Sequence, residues 1–149
     1  MQNQFLKIEH LSKSFGQAQV LNDISVDIPQ GSFTCILGPS GSGKTTLLMI
    51  LAGLESVTHG KISFEGEDIT SVPIEKRRIG IVVQHYALFP NLTVKDNILY
   101  GFSKKSSEKE KKEKLDHLVA LTHLEGLEGR FPHELSGGQQ QRVAIARAL

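Results

Sequence analysis

One cysteine, no tryptophan, two tyrosines and five prolines are spread over 149 residues, and each scarcity closes off a class of protein. A lone thiol, Cys35, leaves no partner for an intrachain disulfide, so the chain is not a stapled secreted scaffold. Its place in an apolar run predicts a small buried side chain and a reducing, cytosolic setting. No stretch approaches the roughly 18 apolar residues that span a bilayer, and Met1-Gln2-Asn3-Gln4 does not open a signal peptide. Any membrane is therefore reached through another subunit. Charge of one sign is also missing: Lys and Arg number 17 against 16 Asp and Glu, a formal net charge of +1. That balance gives no field to draw nucleic acid or anionic lipid, so no nucleic-acid partner is expected. The six histidines are scattered, and the spacing of His117 and His123 does not put them on one ligand face, which argues against a histidine metal site. What remains is ordinary globular material, 39% hydrophobic and 22% charged, long enough for one core.

Glycine is not scarce, and its placement is informative. Gly38-Pro39-Ser40-Gly41-Ser42-Gly43-Lys44-Thr45 fits Gly-x-x-x-x-Gly-Lys-[Ser/Thr], the phosphate-binding loop. Residues without Cβ let such a loop turn successive N–H groups inward around an anion. Lys44 adds a point charge for the terminal phosphates, and the Thr45 hydroxyl is placed to ligate the Mg²⁺ that accompanies a nucleoside triphosphate. Thr46 to Ala52 reads as a helix whose half-positive N-terminus points at the same anion. An apolar strand, Phe33-Thr34-Cys35-Ile36-Leu37, is expected just upstream. The bare pattern arises by chance in on the order of one random chain in a hundred of this size; strand before and helix after make it far rarer. Kinases, GTPases and motors share the loop, so it does not say what the energy is for.

Along the chain, Phe5 to His10 and Val20 to Ile28 alternate as strands, with Pro29-Gln30-Gly31 turning into the next. Leu11 to Gly16 reads as a loop that lifts Phe15. Two roles fit that ring equally, a platform for a purine face or a plug at the edge of the core. Beyond a helix end at Gly53, Lys61 to Phe64 begins another strand with a turn at Gly66. Lys76-Arg77-Arg78 precedes Ile79-Gly80-Ile81-Val82-Val83, an apolar run of the kind buried on both sheet faces, ending at Gln84. An amide there can bond a Mg²⁺-bound water or a γ-phosphate and swivel away, although most glutamines at strand ends are merely solvated. Tyr86, Leu88 and Phe89 in Tyr86-Ala87-Leu88-Phe89-Pro90 fit no core face by periodicity and suggest a contact surface for a partner. Thr93 caps a helix over Val94 to Tyr100. From Lys104 to Lys114 stand six lysines and three glutamates; Glu108 with Lys112 and Glu110 with Lys114 pair at i, i+4 on a solvated helix face rather than a lipid patch. Leu115, Leu118 and Val119 supply its buried stripe.

A second anion-facing helix start lies in Leu135-Ser136-Gly137-Gly138-Gln139-Gln140-Gln141-Arg142. Ser136 stands where an N-cap belongs, and Gly137-Gly138 lets N–H groups approach an anion unscreened. Ser-Gly-Gly is a common helix opening. One triphosphate rarely needs two such ends from one domain, which suggests that the second serves a nucleotide held by another copy.

With both stretches in view, the chain resembles the nucleotide-binding subunits of ABC transporters over its whole length. The resemblance implies an α/β fold, a P-loop NTPase core with an antiparallel β subdomain and a helical subdomain. It divides 1–149 into an ATP-binding core and β subdomain (1–83), a Q-loop and helical subdomain (84–134), and the signature motif with its helix (135–149). Gly38, Pro39, Ser40, Gly41, Ser42, Gly43, Lys44 and Thr45 correspond to Walker A, followed by Thr46. Phe15 corresponds to the adenine-stacking aromatic, Gln84 to the catalytic and Mg²⁺-linked Q-loop glutamine, and Ser136, Gly137, Gly138 and Gln139 to the LSGGQ signature. It further implies ATP and Mg²⁺ as ligands and a head-to-tail dimer, with a homodimer the expected form. Membrane permease subunits would be met near Tyr86 to Pro90, with a solute-binding protein engaged indirectly, at the cytoplasmic face of the membrane. The wording Tyr86 to Thr93 looks like importers for polyamines, ferric iron, sulfate and similar solutes. The family continues into a Walker B strand ending in Asp-Glu and a switch histidine; none occurs up to Leu149, so this stretch alone is expected to be an N-terminal portion that does not hydrolyse ATP efficiently. A soluble ABC-type ATPase of DNA repair or translation, and a nonhydrolytic binding fragment, are the alternatives. No Asn-Lys-x-Asp guanine reader occurs.

Overall fold

In the computed structural model, residues 4–102 and 106–149 are described, the side chain of Gln4 excepted. Lys104 and Lys105 of the basic stretch, and Met1 to Asn3, lie outside them. The chain forms two compact units, 1–79 and 80–149.

The first unit is built on an antiparallel sheet of order β2-β1-β3-β4, with β1 Gln4–Phe15, β2 Ala18–Pro29, β3 His59–Phe64 and β4 Glu67–Asp68. Leu11 to Phe15 thus prolong β1 instead of forming a loop, and only the turn at Gly16 separates it from β2. The extension is possible because β1 absorbs irregularity: its register with β2 shifts between Ile8 and Leu11 and again before Lys13. There His10 and Asp23 both take positive φ, a strained state for non-glycine residues. Each amide is held by the facing strand, His10 N–H by Ser25 Oγ and Asp23 N–H by Ser12 Oγ, both at 2.9 Å. Apolar side chains from one sheet face and from helix α1 (Lys44–Ala52) bury Leu11, Ile50 and Ile62 completely, each adding about 1.5–3 kcal/mol.

α1 begins two residues before the expected start at Thr46 and stops at Gly53, a left-handed C-cap whose N–H reaches Ile50 O and Met49 O. Arg77 closes this end. Only 5% exposed, it donates to Ile50 O at 2.6 Å, Leu51 O at 2.9 Å, Val72 O at 2.6 Å and Thr70 O at 3.1 Å. A cation is favoured at the negative end of a helix, and a side chain at position 53 would strike the guanidinium, with a Cβ 2.7 Å from Nε.

Two expected strands are not formed. Phe33 to Leu37 has no ladder partner among the described residues, Cys35 is exposed rather than buried, and Phe33 and Leu37 are 97% and 87% exposed. Ile79 to Val83 is likewise irregular, with Val82 exposed. Apolar runs of this kind need a sheet neighbour on each edge to satisfy their backbone, and every described strand belongs to the antiparallel sheet.

The second unit is helical: α2 Val94–Ile98, α3 Glu108–Thr122 and α4 Gly137–Ala148. Thr93 caps α2 as expected, and a 3₁₀ turn over Leu99–Gly101 finishes it. Leu115, Leu118 and Val119 face the core with Val94, Ile98 and Val143. The α3 ion pairs differ from those expected. Glu110 turns back to the Ser107 N–H at 2.7 Å in a capping box, and Glu108 takes Lys111 at 2.8 Å. The i, i+4 contacts are instead Lys109 with Glu113 and Lys112 with Asp116. The N-cap claims the carboxylate that the spacing rule assigned to Lys114.

Candidate nucleotide-binding site

Gly43 decides the geometry of the loop. It takes φ 88° at the N-cap of α1 with no side-chain cap, and a Cβ there would lie 2.7 Å from Leu21 Cδ2 and 2.9 Å from Val20 O. Only glycine suits both the backbone angle and the approach. The contact also sets the loop against the β1–β2 hairpin end, where Phe15 pairs with Ala18. Leu47 N–H donates to Gly43 O at 2.9 Å, leaving the earlier amides of α1 without intrahelical partners, as at any helix start.

Lys44 folds back into the loop, with Nζ at 2.9 Å from Gly38 O, 2.6 Å from Pro39 O and 3.2 Å from Ser42 Oγ. Two of its three donors thus bind loop carbonyls, and the third meets the Ser42 hydroxyl. Gly38 permits this tightness, since a Cβ there would come within 2.9 Å of Ser42 Oγ. Ser40 and Gly41 form the exposed turn between them, Thr45 is exposed in the first turn of α1, and Thr46 is half-buried. Phe15, 47% exposed, stands at the end of β1.

In the second unit Ser136 caps α4 reciprocally. Its Oγ accepts from Gln139 N–H at 3.3 Å while Gln139 Oε1 accepts from Ser136 N–H at 2.8 Å. Gly137 and Gly138 are exposed, with open space where a side chain would be. Gln84 opens an exposed turn rather than ending a buried strand. In the stretch after it, Leu88 packs on the helical core, and Phe89 stacks on Tyr100 with ring centroids 4.1 Å apart. Leu88 is therefore core-facing, against expectation, whereas the Tyr100 ring that Phe89 meets is itself 60% exposed.

Two residues that order this stretch escaped the sequence reading. Asn97, fully buried, accepts from Phe89 N–H at 2.9 Å and donates to Phe89 O, Leu92 O and Thr93 O at 3.0–3.1 Å. Arg147 of α4 donates to Ala87 O at 2.8 Å and Tyr86 O at 3.0 Å, where Tyr86 and Ala87 hold positive φ. An amide inside an apolar helix stripe was the available signal for Asn97; nothing local marks Arg147.

α1 and α4 also share an electrostatic feature. Neither has an acidic residue in its first turn, whereas α2 carries Asp96 and α3 carries Glu108 and Glu110 there. Carboxylates at the start of α2 and α3 complement the positive helix end from within the chain. At α1 and α4 that end stays free for an external anion.

A glycine cradle closing on a helix start, with a lysine in its throat, defines a phosphate-loop nucleotide-binding protein of the α/β class. More particularly, the chain belongs to the ABC transporter family, whose profile matches residues 21–149. It is 50% identical over 149 residues to the sulfate/thiosulfate import ATP-binding protein CysA of Escherichia coli (strain K12), covering 97% of this chain and 41% of that protein. Its identity to the protein of the same name from Cucumis sativus is 48%, over 97% of this chain and 43% of that one. The chain thus spans about two fifths of the length of these curated relatives. Among solved structures it is similar to the dimeric ATP-binding cassette MJ0796 bound to ADP and Pi, with a TM-score of 0.84 at 32% identity over 97% of this chain and 69% of that one. A second dimeric structure of MJ0796, a bacterial ABC transporter cassette, gives 0.86 at 32% identity with the same coverage. The family is one of nucleotide binders.

Proposed function

We propose that this chain is the ATP-binding part of an import ATPase subunit which, as the full-length protein, binds MgATP and uses its hydrolysis to drive solute uptake through membrane permease subunits. The observation that carries the reading is the pairing of two helix starts, at Gly43 and Ser136, left without acidic first-turn residues. Residues 38–46 hold the phosphates, with Lys44 moving from loop carbonyls to the terminal phosphates. Ser136, Gly137, Gly138 and Gln139 meet a nucleotide bound by a second copy, and Phe15 stacks the adenine. The hard oxygen donors of Thr45 and Gln84 suit the Mg²⁺ that arrives with the substrate. The division 1–83, 84–134 and 135–149 is the functional one, with Tyr86 to Pro90 beside the permease at the cytoplasmic face of the membrane. The names of the relatives favour a sulfate-class oxyanion as solute, delivered by a binding protein.

The test is uptake of labelled sulfate into vesicles holding the full-length protein and its membrane partners. Uptake is expected to need ATP and to vanish in Lys44→Ala. Uptake that is indifferent to ATP refutes the reading.

A further inference from the structure

Lys13 is a charged side chain in the interior of the first unit, 6% exposed, and the binding roles above do not use it. Its ammonium sits 4.6 Å from the centroid of the Phe15 ring. The same nitrogen donates to Glu55 Oε1 at 2.7 Å and to Ser56 Oγ at 3.4 Å. Glu55 and Ser56 lie just beyond the Gly53 cap, so the partners of Lys13 belong to the segment that leaves the phosphate-loop helix. Backbone contacts reinforce the link: Glu55 N–H reaches Met49 O at 3.3 Å, Thr58 N–H reaches Ser12 O at 3.0 Å, and Ser14 N–H reaches Thr58 Oγ1 at 3.0 Å.

An ion pair whose ammonium is buried while its carboxylate stays partly exposed, at 8% and 32% side-chain exposure, adds little to stability, because desolvation of the one and solvent screening of the other offset most of the attraction. It does add a fixed direction. The cation holds one face of the Phe15 ring, as ring quadrupoles favour, and the ring remains 47% exposed. We propose that Lys13 is the positioning residue of the base platform, setting the height and tilt of Phe15 relative to α1 so that a purine stacks while its phosphates lie in the loop. The proposal rests on the reading of Phe15 as the stacking ring and names what orients it. The ion pair works as a strut between the ring and the end of the phosphate-loop helix, and it acts on the base half of the ligand only.

The experiment titrates ATP and inorganic tripolyphosphate into the full-length protein as wild type, Lys13→Met, Lys13→Arg and Phe15→Ala. Methionine keeps an apolar stem and removes the charge. Lys13→Met is expected to weaken ATP about three- to tenfold, to leave tripolyphosphate unchanged, and to be largely restored by arginine. Unchanged ATP affinity in Lys13→Met, or equal losses for both ligands, overturns the role. If Phe15→Ala itself leaves ATP binding intact, the stacking reading fails and Lys13 falls with it. If Phe15→Ala weakens ATP and Lys13→Met does not, Lys13 alone is refuted. Should Lys13→Met fail to fold, Glu55→Gln is the substitute, with a loss for ATP and none for tripolyphosphate expected, and no loss for either overturning the role.

Discussion

Gly43→Ala joins two penalties that usually occur apart. The φ of 88° places an L-residue in left-handed strain, and the new methyl would press on Leu21 Cδ2 at 2.7 Å and Val20 O at 2.9 Å. Strain alone amounts to about 1–3 kcal/mol, so the full-length variant is expected to lose that or more in a denaturant titration, together with ATP affinity. Stability within a few tenths of wild type would show that the loop relaxes freely. Arg77→Met tests the opposite end of α1. It removes a charged donor from four carbonyls, of which Ile50 O keeps the Gly53 N–H, and is expected to cost about 3 kcal/mol, since buried acceptors left unpaired forfeit their solvation; a loss below about 1 kcal/mol would mean water replaces the guanidinium. Legibility divides along the same line. Gly43 was readable because its constraint is local and recurs in a fixed spacing. Arg77, Asn97 and Arg147 were not, because each acts on carbonyls brought near by the fold, and a basic or amide residue in a row of similar ones carries no mark of its destination.

Elements were legible where their ends carry their own chemistry. Thr93 and Ser136 cap helices through side-chain oxygens as their sequence positions indicate, Gly53 and Gly66 close α1 and the β3–β4 turn, and only the Ser107 cap of α3 went unread. Phe33 to Leu37 and Ile79 to Val83 were misjudged for the complementary reason, since a buried strand is defined by neighbours and not by its own residues. The capping box of α3 gives a prediction with a definite sign. Hydrogen bonds from the Ser107 N–H and hydroxyl hold the Glu110 carboxyl below its usual range. Its contribution is therefore complete above the unfolded carboxylate pKa, near 4.3, and is lost as pH falls through the lower folded value. Glutamine still closes the box but does not titrate. The stability margin of the full-length wild type over Glu110→Gln is expected to shrink on acidification through that window and to be flat from pH 6 to 8. A margin independent of pH would mean the carboxylate charge contributes nothing. Ser107→Ala, by contrast, is expected to cost about 1 kcal/mol at neutral pH.

For the chain as a whole, burial in the first unit is one-sided. The sheet and α1 close a core around Leu11, Ile50 and Ile62, yet a groove of about 530 Å³ runs beside it, bordered by Ile24 and Val26 of β2, Leu47 and Leu51 of α1, and Ile36 and Leu37 of the irregular segment. Phe33 and Leu37 stand almost wholly in solvent, and the backbone between them has no ladder partner among the described residues, in a run of strand-favouring residues. An apolar surface beside an open backbone edge is what a second chain pairs with. A net charge of +1 supplies almost no repulsion to prevent it. The 149-residue chain produced alone is therefore expected to self-associate, to bind a hydrophobic dye and to melt without a sharp transition, at concentrations where the full-length protein stays dispersed. Phe33→Ser with Leu37→Ser should reduce the association of the short chain, because both side chains lie outside the core cluster. A monodisperse preparation with a cooperative melt would mean that the groove closes on itself, and that residues 33–37 find cover within the chain.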